Sequence, residues 1–274
     1  MKALLILLAL PAILLPTACL LYILYQALPA LNWSLIAGSD TANISNMSSA
    51  GQALWHQISG SLLLMMLANI LAAPLALSMA FFHALIASRQ QKMILMTFLQ
   101  VLQGIPPIVY GLCGLILLVH LLHWGISLAT GAVILAIIIL PLLSSNIIHA
   151  LERIPAEQTE AAAALGMSKA AIVLRVWFPL AWTSMLTGLV LAMARSLSET
   201  APILFTATVF SGIAWPDSLF SPVTSLQTHI FYLAQEGSNA QAIHVAWASA
   251  AVLLALVLLF SLTALFLRRY KESS

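Results

Sequence analysis

The chain has 274 residues, of which 62% are hydrophobic and 7% are charged, with a mean hydropathy of +1.05 and a formal net charge of +2. Soluble domains carry about 25% charged residues, so this composition excludes a water-soluble globular protein. The lipid bilayer must therefore be the solvent for most of the chain.

Six apolar segments are long enough to cross a bilayer, since a crossing needs about 20 apolar residues. We predict an all-α, polytopic membrane protein with six transmembrane helices, at 3–28, 60–86, 93–119, 125–148, 180–206 and 243–267. The first segment is longer than the apolar core of a cleaved signal peptide, about 7–15 residues, and is expected to be retained as a helix. Of the two long polar intervals, 29–57 and 207–242, the second is expected to hold a short interfacial helix around Ser225–Gln235.

The basic residues predict the orientation of these helices. Threading six spans in alternation places nine of the ten Lys and Arg residues on one side: Lys2, Arg89, Lys92, Arg153, Lys169, Arg175, Arg268, Arg269 and Lys271. The opposite loops hold Asp40, Asp217 and Glu236 but no Lys or Arg. Because positively charged loops stay in the cytoplasm, both termini are expected to be cytoplasmic in a bacterial inner (plasma) membrane.

The connection between the fourth and fifth spans is predicted to contain two short helices. Ala161–Ala164 are strong helix formers, and Glu160 lies near the helix start, where a carboxylate suits the dipole. Gly166 lets the backbone turn before a second helix, Ser168–Trp177, which leads to Pro179. A stiff pair of helices parallel to the membrane suits docking in a partner's groove, although an ordinary helical loop would have the same local pattern.

Arg195 is the tenth basic residue and lies inside the fifth predicted span, with Glu199 one turn later on the same face. A charge in the membrane costs at least about 2.5–3.5 kcal/mol, and such groups usually face a pathway or cavity. Arginine presents a planar fork of donors that matches oxyanions. We interpret Arg195, Glu199 and Thr200 as lining an anion path, with Pro202 breaking the helix. A structural ion pair that fixes helix packing is the alternative.

The chain is not expected to be an enzyme. A phosphate-cradling P-loop needs Gly-Lys-Ser/Thr, and none of the lysines follows a glycine. No nucleophile–base arrangement and no cluster of metal ligands accompanies Glu199 in the sequence. We therefore predict no catalytic residues, no metal site and no cofactor, and expect any ATP hydrolysis to be performed by a partner.

Three stretches resemble those of known transporter families. The run Glu160-Ala161-Ala162, three residues, Gly166, nine residues, then Val176-Trp177-Phe178-Pro179 resembles the EAA motif of ABC-importer permeases. The segments 194–207 and 104–112 resemble two stretches of PstA-type phosphate importer permeases, and the likeness covers about residues 58–267. The chain departs from that pattern at Pro107, Thr159 and Ser198.

The resemblance implies a type I ABC importer permease fold and a subunit that moves inorganic phosphate across the inner membrane by alternating access. It implies a heterodimer with a second homologous permease, two copies of an ATP-binding subunit and a periplasmic phosphate-binding protein. The ATPase-coupling residues would be Glu160, Ala161, Ala162, Gly166 and Pro179, and the substrate path would use Arg195, Glu199 and Thr200.

The resemblance also implies a division of the chain into three parts. We expect an N-terminal helix with a periplasmic loop over 1–57, a permease domain over 58–267 with a coupling loop at 149–179, and a cytoplasmic tail over 268–274. The departures leave two alternatives open: another oxyanion as cargo (sulfate, molybdate or phosphite), or a non-transporting docking or signalling subunit.

Overall fold

The computed structural model describes residues 2–31, 35–36, 54–208, 215–235 and 240–273. Within these ranges the regular structure is entirely helical. In chain order the helices are α1 (Lys2–Ala27), α2 (Trp55–Leu85), α3 (Arg89–Gly104), α4 (Pro107–Gly114), α5 (Leu128–Glu152), α6 (Ala156–Ala164), α7 (Lys169–Ile172), α8 (Phe178–Leu197), α9 (Ala201–Thr206), α10 (Leu226–Gln235) and α11 (Ala240–Ser273). Two π-helical stretches, Leu115–Leu121 and Val173–Trp177, extend α4 and α7.

Five helical segments of the described residues are long and apolar enough to cross a membrane, and α3 with α4 makes a sixth if the bent pair is counted as one span. The predicted all-α polytopic fold is confirmed. Parts of the predicted polar loops, 37–53, 209–214 and 236–239, lie outside the described residues and include Asp40 and Glu236. The side chains of Lys2 and Lys271 also lie outside the description.

The prediction of one continuous helix over 93–119 was wrong, because α3 and α4 meet at an angle of 87°. Ile105 and Pro106 are extended at the break, with ψ values of 127° and 134°. A residue before proline is driven away from the α region, and Ile105 and Pro106 both precede one. Pro107 then opens α4, where a missing backbone N–H costs no helical hydrogen bond.

The fifth predicted span, 180–206, is also interrupted. The helix ends at Leu197, residues 198–200 form a non-helical break, and α9 resumes at Ala201. Pro202 lies in the first turn of α9, as expected for a residue that interrupts a helix yet fits its start. The expectation that Pro202 breaks the helix is therefore confirmed.

The chain divides into two compact units, and the larger comprises Leu62–Val209, Pro216–Val223 and Leu256–Ser274. Its core includes a stripe of fully buried alanines on α2, spaced four residues apart: Ala68, Ala72, Ala76 and Ala80. Ile139 and Leu143 of α5 belong to the same core. Small residues on one helix face let neighbouring backbones approach closely, which is the main source of packing energy in a bilayer.

The smaller unit comprises Met1–Ser61, Phe210–Trp215 and Thr224–Ala255. It contains α10, which matches the short helix predicted around Ser225–Gln235. The hydroxyl of Ser61 accepts a hydrogen bond from the backbone N–H of Leu226 (2.8 Å) and donates to Gln227 Oε1 (3.0 Å). These bonds satisfy the start of α10 in a buried setting. The three-part division predicted from the sequence follows the membrane topology and stays a prediction.

Candidate functional site

The centre of the candidate site is an ion pair at the break between α8 and α9. Arg195 Nη2 lies 2.7 Å from Glu199 Oε1, and the side chains are 51% and 8% exposed, respectively. Arg195 stands in the last turn of α8, while Glu199 lies in the non-helical segment before α9. The carboxylate is therefore held inside the larger unit, and the guanidinium retains free surface for a further partner.

A cavity of about 300 Å³ opens beside Arg195. It lies at the bend between α3 and α4 and is closed on another side by α5. Its polar lining residues are Gln103, Tyr110 and Arg195, and its apolar lining residues are Leu102, Ile105, Pro107, Ile138 and Leu142. An apolar cavity with a few converging polar groups is the usual form of a small-ligand site.

Two hydrogen bonds hold the cavity wall in place. The Tyr110 hydroxyl donates to the backbone carbonyl of Leu102 (2.8 Å), which bridges the break from α4 back to α3. The last carbonyls of a helix lack regular helical partners, and Leu102 O accepts this bond together with a longer one from Ile105 N (3.4 Å). Gln103 Nε2 donates to Ser145 Oγ on α5 at 3.3 Å. Hydrogen bonds therefore hold the side chains of Gln103 and Tyr110, which line the cavity together with Arg195.

Asn69 of α2 contacts α8 at Ser196, next to Arg195 in the chain. Asn69 is 2% exposed, and its Nδ2 donates to the Met65 carbonyl (2.8 Å) and to Ser196 Oγ (3.4 Å). Asn69 Oδ1 is buried without a hydrogen-bond partner among the described residues. Ser196 is thus buried against α2, whereas the adjacent Arg195 lines the cavity.

The threonines near the break have different positions. Thr200 is half-buried and forms the start of α9, where its carbonyl accepts a hydrogen bond from Leu204 N at 3.1 Å. Thr206 is fully buried, and its hydroxyl donates to the Pro202 carbonyl at 2.7 Å. Of these two hydroxyls, only that of Thr200 retains some exposure beside the ion pair.

The two segments that carry the phosphate-permease resemblance pack directly against each other. A Cβ built on Gly111 of α4 would lie 2.7 Å from Pro202 Cα of α9. No side chain fits at that distance, so only glycine lets α4 and α9 approach so closely. This contact brings the cavity wall at Tyr110 and the ion pair at Glu199 into one compact region.

The predicted pair of short helices between the fourth and fifth spans is confirmed. α6 begins after Pro155 and ends before Gly166, whose φ of +77° lies in the left-handed region that favours glycine. Ser168 caps α7 by accepting a hydrogen bond from Ala171 N at 3.3 Å. The second helix does not stop at Trp177, because the π-helical stretch runs straight into α8, which has Pro179 in its first turn.

The predicted coupling residues differ in exposure. Glu160, Ala161 and Gly166 are exposed, whereas Ala162 is 5% exposed and packs inside the unit. Leu165, which the sequence did not single out, is 83% exposed beside Gly166.

Sequence reasoning missed Gln103 and Asn69. Each is a carboxamide within an apolar span, and that contrast was the available signal. Tyr110 lay inside a segment recognised by resemblance, but its bond across the α3–α4 break follows only from the bend. Arg195, Glu199 and Thr200 do lie together, although Glu199 stands in the break after α8 and not, as the spacing predicts, on one continuous helix face with Arg195.

Comparison with known proteins places the chain in a family. Residues 72–273 match the family model described as the binding-protein-dependent transport system inner membrane component. The probable ABC transporter permease protein YqgI of Bacillus subtilis (strain 168) is 29% identical over 258 residues, covering 90% of this chain and 86% of that protein. The phosphate transport system permease protein PstA of Xylella fastidiosa (strain 9a5c) is 31% identical over 208 residues, covering 75% and 71%.

The fold of the chain is similar to that of a solved transporter structure. A chain of the inward-facing MetNI methionine ABC transporter superposes with a TM-score of 0.61 at 16% identity, covering 80% of this chain and 93% of that one. The proteins of this family are non-enzymatic membrane subunits that work with an ATPase and a binding protein. The chain therefore belongs to the binding-protein-dependent transport system inner membrane component family, as a multi-pass permease subunit of an ABC importer.

Proposed function

We propose that this permease subunit translocates inorganic phosphate. The observation that carries the proposal is the asymmetry of the ion pair, in which Glu199 is buried while Arg195 keeps half its side-chain surface free at the cavity. A relative of similar sequence is named a phosphate transport system permease. Arginine's fork of N–H donors is suited to the oxygens of a tetrahedral oxyanion.

The ion pair has properties that transport requires. Arg195 attracts an anion, and the side chains of Gln103 and Tyr110 line the same cavity with hydrogen-bonding groups. Glu199, 2.7 Å from the guanidinium, competes with the anion for the same charge. An isolated arginine would hold a phosphate tightly, whereas a paired one binds it weakly enough to release it. Thr200 adds a hydroxyl at the start of α9.

The ATP-binding subunits would act on this chain through the α6–α7 connection. We assign Glu160, Ala161, Gly166 and Pro179 to the contact with the ATP-binding subunit, with Ala162 supporting that contact from inside. In this arrangement both termini are cytoplasmic, a second homologous permease completes the translocation path, two ATP-binding subunits supply the energy, and a periplasmic binding protein delivers phosphate. ATP-driven motion of the connection would move α8 and the cavity between outward-open and inward-open states.

The test is phosphate uptake by cells that lack other phosphate importers and carry the chain with its partner subunits. The double variant Arg195→Gln/Glu199→Gln removes both charges together, so neither is left buried alone. We expect uptake to fall by about 10- to 100-fold at equal membrane abundance, because a charge-assisted hydrogen bond contributes about 1.5–3 kcal/mol. Arg89→Gln, an exposed arginine at the start of α3, is the matched control. Undiminished uptake in the double variant would contradict the translocation role.

The cargo is tested by competition in the same cells. Excess unlabelled phosphate is expected to suppress uptake of labelled phosphate, while sulfate, molybdate and phosphite at equal concentration are expected to have little effect. Suppression by one of these anions at lower concentration than phosphate would reassign the cargo to that oxyanion. Normal import in cells lacking the chain, with an altered response to phosphate starvation, would support a signalling subunit instead.

A further inference from the structure

We propose that the hydrogen bond between Trp177 and Thr159 makes these two positioning residues the link through which α6 moves α8. This inference rests on the proposed function, since it takes α6 as a contact for the ATP-binding subunit. It adds a named pair of atoms through which motion at that contact reaches the membrane span that carries Arg195.

The geometry of the pair is specific. Trp177 Nε1 donates to Thr159 Oγ1 at 3.0 Å, between residues 18 positions apart in the chain. Thr159 lies in the middle of α6, and Trp177 directly precedes Phe178, the first residue of α8. Both side chains are half-buried. A hydrogen bond is directional, so it resists rotation and sliding of α6 in a way that apolar contact does not.

α6 has few other attachments. It is nine residues long, and the chain turns at both of its ends, at Pro155 before it and at Gly166, with φ +77°, after it. Most of its side chains are exposed, while Ala162 and Thr159 face inward three residues apart on one side. Ala162 offers only a small apolar contact. The Thr159 hydroxyl therefore supplies the polar tie between α6 and the rest of the larger unit.

Trp177, at the base of α8, lies in a segment that is suited to movement. Trp177 closes the π-helical stretch Val173–Trp177, and π-helical turns within helices are frequently found at functional sites. Trp177 also packs against the core of the larger unit together with Phe178 and Ile154. From Trp177 the helix runs on without interruption to Arg195, roughly 27 Å away at 1.5 Å per residue. A pull on the indole is thereby applied to the base of a rigid rod that ends at the candidate substrate cavity.

The experiment reads the movement of α8 directly in the reconstituted complex of both permeases and the ATP-binding subunits. A reporter thiol is introduced as Leu191→Cys, because Leu191 is 40% exposed and lies one turn before Arg195 on the same face. The native thiols are removed as Cys19→Ser and Cys113→Ser, since both are exposed. The measured quantity is the change in maleimide labelling rate when ATP is added.

We expect Thr159→Val to reduce this ATP-dependent change by roughly two- to tenfold, the effect of losing one hydrogen bond. The ATP-binding subunit should still co-purify and hydrolyse ATP, so that hydrolysis continues with less movement of α8. Trp177→Phe should give the same reduction, and the double variant should add nothing further, as for two halves of one bond. Thr159→Ser keeps the hydroxyl and should retain most of the change.

Several outcomes would overturn the inference. A full ATP-dependent change in Thr159→Val, additive losses in the double variant, or loss of ATPase co-purification in Thr159→Val would each show that the bond does not transmit movement. The same conclusion would follow if ATP did not change the labelling rate in the complex that carries Leu191→Cys, Cys19→Ser and Cys113→Ser with Thr159 and Trp177 intact. Failure of the proposed function is seen separately. Absence of phosphate uptake by the unmodified complex contradicts the cargo, and absence of ATPase co-purification with the unmodified chain contradicts the docking role of α6.

Discussion

Gly111 and Pro202 approach so closely that a Cβ on Gly111 would lie 2.7 Å from Pro202 Cα. A side chain at Gly111 must push α4 away from α9, because the opposing atom belongs to the backbone. We expect Gly111→Val to lower the free energy of unfolding by about 1–3 kcal/mol, the usual cost of overpacking. The measurement is the unfolding midpoint of the purified protein in mixed micelles. Gly104→Ala is the control, because nothing lies within 4 Å of a Cβ there, and an equal loss in both would contradict the packing argument.

Gly166 gives a graded prediction, since its φ of +77° is costly for other residues. An L-residue in the left-handed region costs roughly 1–2 kcal/mol, least for asparagine and most for a β-branched side chain. We expect thermal stability and ATPase co-purification to fall in the order Gly166→Asn, Gly166→Ala, Gly166→Val. No Cβ contact exists at this position, so size alone predicts no loss. Equal thermal stability and equal ATPase co-purification in the three variants would contradict the explanation from backbone conformation.

Tyr110→Phe should weaken the α3–α4 break without changing its shape. The variant removes the hydrogen bond to the Leu102 carbonyl (2.8 Å), which then keeps only the longer bond from Ile105 N (3.4 Å). The expected cost is about 0.5–1.5 kcal/mol in stability, accompanied by reduced uptake because the cavity wall loosens. Tyr25→Phe, at a tyrosine 71% exposed on α1, should be neutral. Stability and uptake are both measured, and unchanged values for Tyr110→Phe would refute a structural role for the bond.

The Arg195–Glu199 pair predicts unequal effects of its two single variants. Arg195→Gln leaves the 8% exposed carboxylate of Glu199 unpaired, whereas Glu199→Gln leaves a guanidinium that is 51% exposed. Removing one partner of a fully buried pair costs roughly 3–5 kcal/mol, which is an upper limit here because Arg195 retains free surface. Arg195→Gln should therefore destabilise the protein more than Glu199→Gln in the same unfolding assay.

Uptake and anion binding distinguish the roles within that pair. Glu199→Gln should bind phosphate more tightly and release it more slowly, because the carboxylate no longer competes for Arg195. The measurement is phosphate binding to the purified complex alongside the initial uptake rate in vesicles. Weaker binding in Glu199→Gln would mean that Glu199 holds Arg195 in position rather than competing with the anion.

Replacing Leu165 is expected to weaken assembly with the ATP-binding subunit without affecting folding. Its side chain is 83% exposed beside Gly166, so Leu165→Asp should leave folding unchanged within about 0.5 kcal/mol. We expect co-purification of the ATP-binding subunit to fall severalfold, because an apolar anchor is replaced by a charge. Leu219→Asp, at a leucine 55% exposed in the connection between α9 and α10, is the matched control. Normal assembly in Leu165→Asp would place the ATPase contact elsewhere.

Several local features of this fold could be predicted before the structure was known. Apolar composition identifies a membrane protein, and segment lengths identify the number of crossings. Alanines before Gly166 predict a helix followed by a turn, and the turn is present with a positive φ. The four-residue spacing of Arg195 and Glu199 predicts a pair, and the pair forms although Glu199 lies just beyond the end of α8. All of these depend on residues that are neighbours in the chain.

The two helix breaks could be predicted from the sequence only in part. Pro106, Pro107 and Pro202 mark where helices are disfavoured. The sequence predicts the break near Pro202, but it does not predict the bend within 93–119. A proline can kink a helix or end it, and tertiary packing selects between the two. Here the bend reaches 87° because Ile105 and Pro106 both adopt extended backbone and Tyr110 ties the two sides together.

The sequence by itself determined the membrane environment, the helical class, the α6–α7 turn and the pairing of Arg195 with Glu199, because each follows from local chemistry. Only the tertiary structure decided that Gln103 and Tyr110 share a cavity with Arg195 and that Gly111 meets Pro202. It also decided that Thr159 bonds Trp177. These contacts join residues far apart in the chain. They depend on how helices cross and how closely backbones approach, and no local pattern of residue types specifies that.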